Sequence, residues 1–228
     1  MSIAYNIETV RNKIELACQR CGRNAGEITL IGVTKTHGAD IINEAIACGI
    51  KDIGENRVQE LTGKYADIEK NVNIHLIGHL QSNKVKYIAD KVCLIHSLDS
   101  KKLAKELSVC AVKNGICLDA LVQVNISGEE SKSGIAPQEI DDLFEYIETL
   151  EGVKVKGIMT IPPIDSGSMQ NSRKIFEKAH ALFEQKRGEK YNNIIMQHLS
   201  MGMTNDYEIA IEEGSTMVRV GRAIFGDR

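Results

Sequence analysis

TLIGVTKTHGADIINEAIACGIKDIGE, residues 29–55, decides how the fold is read. An apolar and β-branched run, Thr29–Thr34, is followed by helical spacing over Ile41–Cys48, a glycine at Gly49 and a second apolar run at Asp52–Glu55. Short apolar runs bounded by turn residues read as buried strands, and a glycine just past a periodic stretch reads as a helix stop. The unit is therefore strand, helix, strand.

The same unit repeats along the chain. Further strands are predicted at Asn73–Gly78, Val92–Ser97, Asp119–Ile126, Val155–Ile161, Ile194–Leu199 and Thr216–Val220. Helical spacing occupies Val58–Ile68, Lys84–Ala89, Lys101–Val112, Glu139–Leu150, Arg173–Lys186 and Tyr207–Glu212. Gly115, Gly152 and Gly214 mark helix stops; Ser100, Pro137 and Asn205–Asp206 mark starts. An additional amphipathic pattern precedes the first strand, with Ile7, Val10, Ile14, Leu16, Cys18 and Cys21 on its apolar face. The strands are continuously apolar, as in a parallel sheet covered on both faces. An open doubly wound sheet and a closed barrel both fit such a repeat. Eight strands, with no G-x-G-x-x-G after the first, favour a single (β/α)8 TIM-type barrel over residues 1–228 with an extra N-terminal helix. Pro162–Asn171 (PPIDSGSMQN) is the one loop expected to be a flexible insertion.

Composition excludes several classes. The 228 residues are 43% hydrophobic, enough for a sizeable core without staples. Lys and Arg number 28 against 31 Asp and Glu, and six Tyr, four Phe and no Trp supply few stacking platforms. No nucleic-acid partner is expected from a net charge of −3. The apolar runs are strand-sized, far short of the roughly 18 to 20 residues of a membrane span. The N-terminus does not read as a secretory signal. Six scattered cysteines suit free thiols in a reducing cytosol, so the expected location is cytoplasmic. Cys18 and Cys21 form a CxxC without a second pair, and they read as ordinary helix cysteines.

In a barrel, chemistry belongs where strands end. Those positions hold Lys35, Asn56, Gly78–His79, Asn125, Met159–Thr160, Ser200–Met201–Gly202 and Arg219–Val220–Gly221–Arg222. Lys35, closing a buried strand, either carries a neutral amine suited to a Schiff base or snorkels from the mouth. Ser200–Met–Gly and Gly221–Arg222 follow the seventh and eighth strands, where barrels often hold a phosphate; two plain tight turns are the alternative. His75 and His79 are four apart on a strand and its turn, which does not converge two imidazoles on a metal. Lys132 places an amine on the functional face.

Five ordered blocks carry a resemblance: residues 30–60, HLIGHLQSNK (75–84), VQVNISGEESKSG (122–134), GIMTIP (157–162) and LSMGMTNDYEIAIEEGSTMVRVGRAIFG (199–226). Together they closely resemble the pyridoxal phosphate homeostasis proteins, which look like the barrel domain of alanine racemases standing alone. The resemblance implies a barrel binding pyridoxal 5′-phosphate (PLP) as an internal aldimine. Lys35 in VTKT matches the Schiff-base lysine, and Asn56 in GENRVQE the residue beside the ring. Ser200 in LSMGM and Gly221–Arg222 in VRVGRA match the phosphate-binding turns. Arg222 stands where some relatives carry a small hydroxyl residue. Arg219 in MVRVG matches the arginine facing the pyridine nitrogen, which disfavours a pyridinium and weakens the electron sink. Thr34–Lys35–Thr36–His37–Gly38 departs from relatives that read SKTKP or SKTV.

Val220 is followed only by residues 221–228. The second domain that supplies a racemase's partner tyrosine is therefore expected to be missing, and a monomer is expected. The leading expectation is a carrier that buffers PLP or hands it to apo-enzymes without robust turnover. A low-activity amino-acid racemase and a barrel for another phosphate metabolite are the alternatives.

Overall fold

The computed structural model describes residues 2–129, 133–162 and 169–226. Lys132 and most of the expected Pro162–Asn171 insertion lie outside them. Eight parallel strands close into a barrel in sequence order: β1 Thr29–Val33, β2 Asp52–Glu55, β3 Asn73–Leu76, β4 Leu94–Leu98, β5 Leu118–Gln123, β6 Val153–Met159, β7 Ile194–Met203 and β8 Met217–Val220. Register pairs Gly32 of β1 with both Ile53 of β2 and Val220 of β8, so the sheet has no free edge there.

The helices are α1 Ile3–Arg20, α2 Ala39–Ala47, α3 Val58–Lys64, α4 Lys101–Asn114, α5 Ile140–Glu148, α6 Met169–Arg187, α7 Tyr207–Glu212 and α8 Arg222–Phe225. α1 starts at Ser2, whose hydroxyl accepts from the Tyr5 N–H, and buries Ile7, Val10, Ile14, Ala17 and Cys18. Leu16 is exposed instead, because two residues along a helix from Ile14 is the opposite face. Asn6 of α1 donates to the Ile224 carbonyl of α8 at 2.8 Å, which ties the extra helix to the end of the barrel. Cys21 closes α1 with its thiol against the Ala17 carbonyl, and all six cysteines are free.

Three expectations change. The segment between β3 and β4 is a 3-10 helix, Ser82–Tyr87, closed by the Ile88 N–H on the Val85 carbonyl. So short a stretch gains little from α-helical propagation. Met169–Asn171, expected to be loop, form the first turn of α6. β7 runs four residues past its predicted end at Leu199, through Ser200 to Met203.

Most of the core lies between strands and helices, around Ile53, Leu76, Phe144 and Phe176. The barrel interior holds a separate apolar group, Ile31, Leu94, Leu121, Met159 and Met217. Barrel interiors are ordinarily filled by branched apolar side chains. Here polar side chains share that space, and they decide the site. No helix among the described residues is long and apolar enough to cross a membrane.

Candidate functional site

Lys35 sits half-buried in the turn that follows β1. That turn is braced from outside. Lys64, at the end of α3, donates to the carbonyls of Thr34 and His37, each at 3.0 Å, and pairs with Glu55 at 2.8 Å and Glu60 at 3.1 Å. Glu55 is fully buried at the end of β2 and also receives the Thr34 hydroxyl. Burial pushes the Glu55 carboxyl up, against the hydrogen bonds from Lys64 and Thr34. The Thr36 N–H donates to Glu60, and Thr36 is held at φ +69°. A β-branched residue with left-handed backbone is strained, and the strain sits one residue from Lys35.

Neighbouring strand ends bring the other mouth residues together. Asn56 follows β2, whose strand pairs with β1. The chain passes so close to Gly78 that a Cβ there would lie 2.2 Å from the Asn56 carbonyl oxygen. Gly221 follows β8, on the other side of β1, and its α-carbon faces Val33. The Gly221 N–H donates to the Thr204 hydroxyl at 3.3 Å, and α8 begins at once with Arg222, which is exposed. The first N–H groups of a helix have no acceptor within it and suit an anion. His37 and Phe225 stack at 4.9 Å between ring centroids, joining the β1 and β8 loops. Lys35, Asn56, Gly221 and Arg222 thus share one mouth.

Ser200 and Arg219 lie below it, inside the barrel. The longer β7 makes Ser200 a strand residue, not the start of a turn. The β7–β8 register shifts between Ser200 and Met203, where Gly202 adopts φ +91° with Ala210 and Tyr207 packed against its Cα. A Cβ on Gly202 would come within 2.5 Å of the Ala210 Cβ, so only glycine fits. The Ser200 hydroxyl consequently points into the interior, where it accepts from Arg219 Nη1 at 2.6 Å and meets His96 Nδ1 at 3.0 Å. The hydroxyl that the resemblance assigns to a phosphate is thus hydrogen-bonded to Arg219 and His96. Arg219 also donates through Nη2 to the Thr160 carbonyl at 3.0 Å. Burial lowers the guanidinium to about 10, which still leaves it cationic at neutral pH.

The sequence did not signal two groups of residues. One is the brace of Lys64, Glu55 and Glu60. The other is a pair of interior histidines, His75 on β3 and His96 on β4, with Nδ1 and Nε2 3.0 Å apart. Their trace in the sequence is a histidine within each of two otherwise apolar strands. His79 is exposed and faces Asp99 at 3.4 Å, so it does not join His75.

The alanine racemase N-terminal domain model matches residues 3–228. A pyridoxal phosphate homeostasis protein of Aquifex aeolicus is 44% identical over all of this chain and 99% of its own length. The one from Escherichia coli K12 is 40% identical over 99% of this chain and 97% of its own. This chain belongs to the pyridoxal phosphate homeostasis protein family. PipY of Synechococcus elongatus, solved with PLP bound, superposes with a TM-score of 0.86 at 30% identity, over 99% of this chain and all of PipY. Alanine racemase from Corynebacterium glutamicum shares the fold alone: TM-score 0.70 and 16% identity, over 99% of this chain and 61% of the racemase. The family members are thus matched end to end, while the racemase extends well beyond the shared barrel.

Proposed function

We propose that this chain binds PLP at the mouth formed by the β1, β2 and β8 loops, linked covalently through Lys35, and serves intracellular PLP homeostasis by buffering or delivery. The observation that carries this is that Lys35 and Gly221 follow two hydrogen-bonded neighbouring strands, β1 and β8, and that β8 also carries the buried, cationic Arg219. The donor set fits the cofactor: an amine for the aldehyde, an amide at Asn56 for the ring substituents, and, for the phosphate, the Arg222 backbone N–H that opens α8 beside Gly221, whose own N–H is held by the Thr204 hydroxyl. Bound PLP supplies an aldehyde that condenses reversibly with amines and a ring that can accept electrons. Lys35 offers the amine, the Lys64 brace fixes its turn, and Arg219 presents N–H donors from below. A guanidinium can donate a hydrogen bond but accept none, so it does not stabilise a protonated ring nitrogen. That favours holding the cofactor over turnover. The chain acts in the cytoplasm as a monomer, with PLP-requiring apo-enzymes as recipients. Purified protein mixed with PLP should show a visible band that borohydride bleaches, leaving a pyridoxyl mass on the peptide containing Lys35. The label on another lysine, or no band, defeats the assignment.

A further inference from the structure

Inside the barrel, a continuous hydrogen-bonded series crosses from β8 and β7 to β4, β3 and β2. Arg219 Nη1 lies 2.6 Å from Ser200 Oγ, which lies 3.0 Å from His96 Nδ1. His96 Nε2 lies 3.0 Å from His75 Nδ1, and His75 Nε2 lies 3.1 Å from Asp52 Oδ1. Ser200 and His96 are wholly buried, and Arg219 and His75 nearly so; Asp52 at the start of β2 is partly exposed. We propose that Asp52, His75 and His96 are positioning residues for the cofactor site: with Ser200 they form a one-way hydrogen-bond chain, both imidazoles neutral and protonated on Nε2, that fixes the Arg219 guanidinium under the mouth.

The direction follows from what each group can do. A guanidinium only donates, so Ser200 Oγ accepts from Arg219. The Ser200 hydroxyl has one proton, and among the described residues its other hydrogen-bond partner is His96, so it donates to Nδ1. A neutral imidazole has one N–H, which places the His96 proton on Nε2, facing His75 Nδ1. By the same rule His75 carries its proton on Nε2 and donates to Asp52. The far end agrees, because an ionised carboxylate only accepts. Asp52 takes a second bond from Asn73 Nδ2 at 3.0 Å. Burial alone would raise the Asp52 carboxyl, yet hydrogen bonds from His75 and Asn73 hold it below its ordinary value. Burial, and beyond it the Arg219 charge, hold the His96 imidazole well below the usual range, which keeps it neutral. Cys93 Sγ lies 3.6 Å from His75 Nε2, a weaker partner than the carboxylate. The opposite order would put an N–H of His96 on Ser200 and leave the proton of the fully buried serine without an acceptor among the described residues.

Arg219 is thereby held at two points, the Ser200 hydroxyl and the Thr160 carbonyl. Each bond in such a chain polarises the next, so an acceptor at Asp52 strengthens the hold on Arg219 through three intervening groups. The effect on PLP rests on the function proposed above, whereas the proton positions do not. Two measurements separate them. Long-range 1H–15N correlation spectra of the labelled PLP-free protein should show Nδ1 unprotonated and Nε2 protonated in both His75 and His96. Nδ1 protonation at His96, or a doubly protonated His75, overturns the chain. PLP titrations, read from visible absorbance, should then show Asp52→Ala weakening binding about threefold to tenfold, the size of coupling expected of groups in one network. Asp52→Asn, which keeps an acceptor oxygen, should restore most of that loss. In a Ser200→Ala background Asp52→Ala should have no further effect. Additive losses in the double variant, or no loss in the single one, overturn the positioning role. His75→Gln serves in the same cycle if Asp52→Ala does not fold. A wild type that binds no PLP refutes the cofactor assignment, and the spectra of the free protein still decide the chain.

Discussion

The ammonium of Lys64 bridges the carbonyls of Thr34 and His37, the residues on either side of the Lys35–Thr36 pair. Three hydrogen-bonded partners and a buried carboxylate therefore fix a turn of only four residues. The turn presenting the candidate attachment lysine is held by a second lysine that never reaches the mouth. Removing a residue that touches no ligand should accordingly disturb both folding and cofactor attachment.

Lys64→Met tests the brace. The change keeps the bulk of the stem but strands the fully buried Glu55 beside Thr34. Breaking one partner of a buried ion pair costs about 3–5 kcal/mol. Urea unfolding should show a loss of that order, and adding Glu55→Gln should recover part of it. A loss within about 0.5 kcal/mol, typical of a surface substitution, would mean the pair is solvated in solution.

Thr36 supplies the opposite sign. Left-handed backbone costs a residue with a Cβ about 1–2 kcal/mol, while glycine loses roughly 0.5–1 kcal/mol in unfolded-state entropy. Thr36→Gly should therefore stabilise by up to about 1 kcal/mol in urea unfolding. The same variant should lose PLP affinity, because the turn carrying Lys35 becomes free to sample other conformations. A clearly destabilised Thr36→Gly would show that the observed φ of +69° is not strained.

The eight strands were readable because each is a short apolar run between turn residues, and barrel closure followed from their number. The mouth was readable too, since Lys35, Asn56 and Gly221 each lie just past a strand. The end of β7 was not. Leu199–Ser200–Met201–Gly202 looks like an apolar run meeting a turn, but pairing with β8 carries the strand onward through a bulge at Gly202. That misplacement assigned the Ser200 hydroxyl to a loop when it faces the interior. The His75–His96 contact joins residues 21 apart in sequence on adjacent strands, and no local spacing encodes it. The brace escaped notice because Lys64 and Glu60 look like an ordinary exposed helical pair until Glu55 is placed between them.

Gly157 on β6 gives a steric test of the barrel seam. Its φ is +143°, and a Cβ would lie 1.9 Å from the His198 carbonyl oxygen across the β6–β7 register shift. Gly157→Ala cannot be absorbed by a side-chain rotation, because the obstacle is backbone. Thermal unfolding should drop by at least the equivalent of about 3 kcal/mol, or the variant should not accumulate as folded protein. Wild-type stability in Gly157→Ala would show that the β6–β7 bulge relaxes in solution.

Acidification should expose the interior histidines. His96 titrates far below the ordinary imidazole value in the folded chain, chiefly through burial and then through His75 and Arg219, while an unfolded imidazole titrates near 6.5. Between those two values the unfolded state binds the proton and the folded state does not. Stability therefore rises with pH in that window and is lost as pH falls below about 6.5, by roughly 1.4 kcal/mol per pH unit for one such group. His198, lowered by burial and His75, adds the same sign. Glu55 and Asp206, both raised by burial, work the other way: their folded forms gain a proton before the unfolded ones, which favours the fold as pH falls towards their ordinary values. Asp52 is lowered, so its contribution is lost only at more acid pH. Comparing His96→Gln with wild type cancels the groups that do not touch His96, Glu55 among them. Urea midpoints at pH 7, 6 and 5 should fall more steeply in wild type than in His96→Gln, whose amide takes up no proton. Parallel slopes would mean that His96 is protonated in the folded protein, and the interior would then have to accommodate an imidazolium beside Arg219.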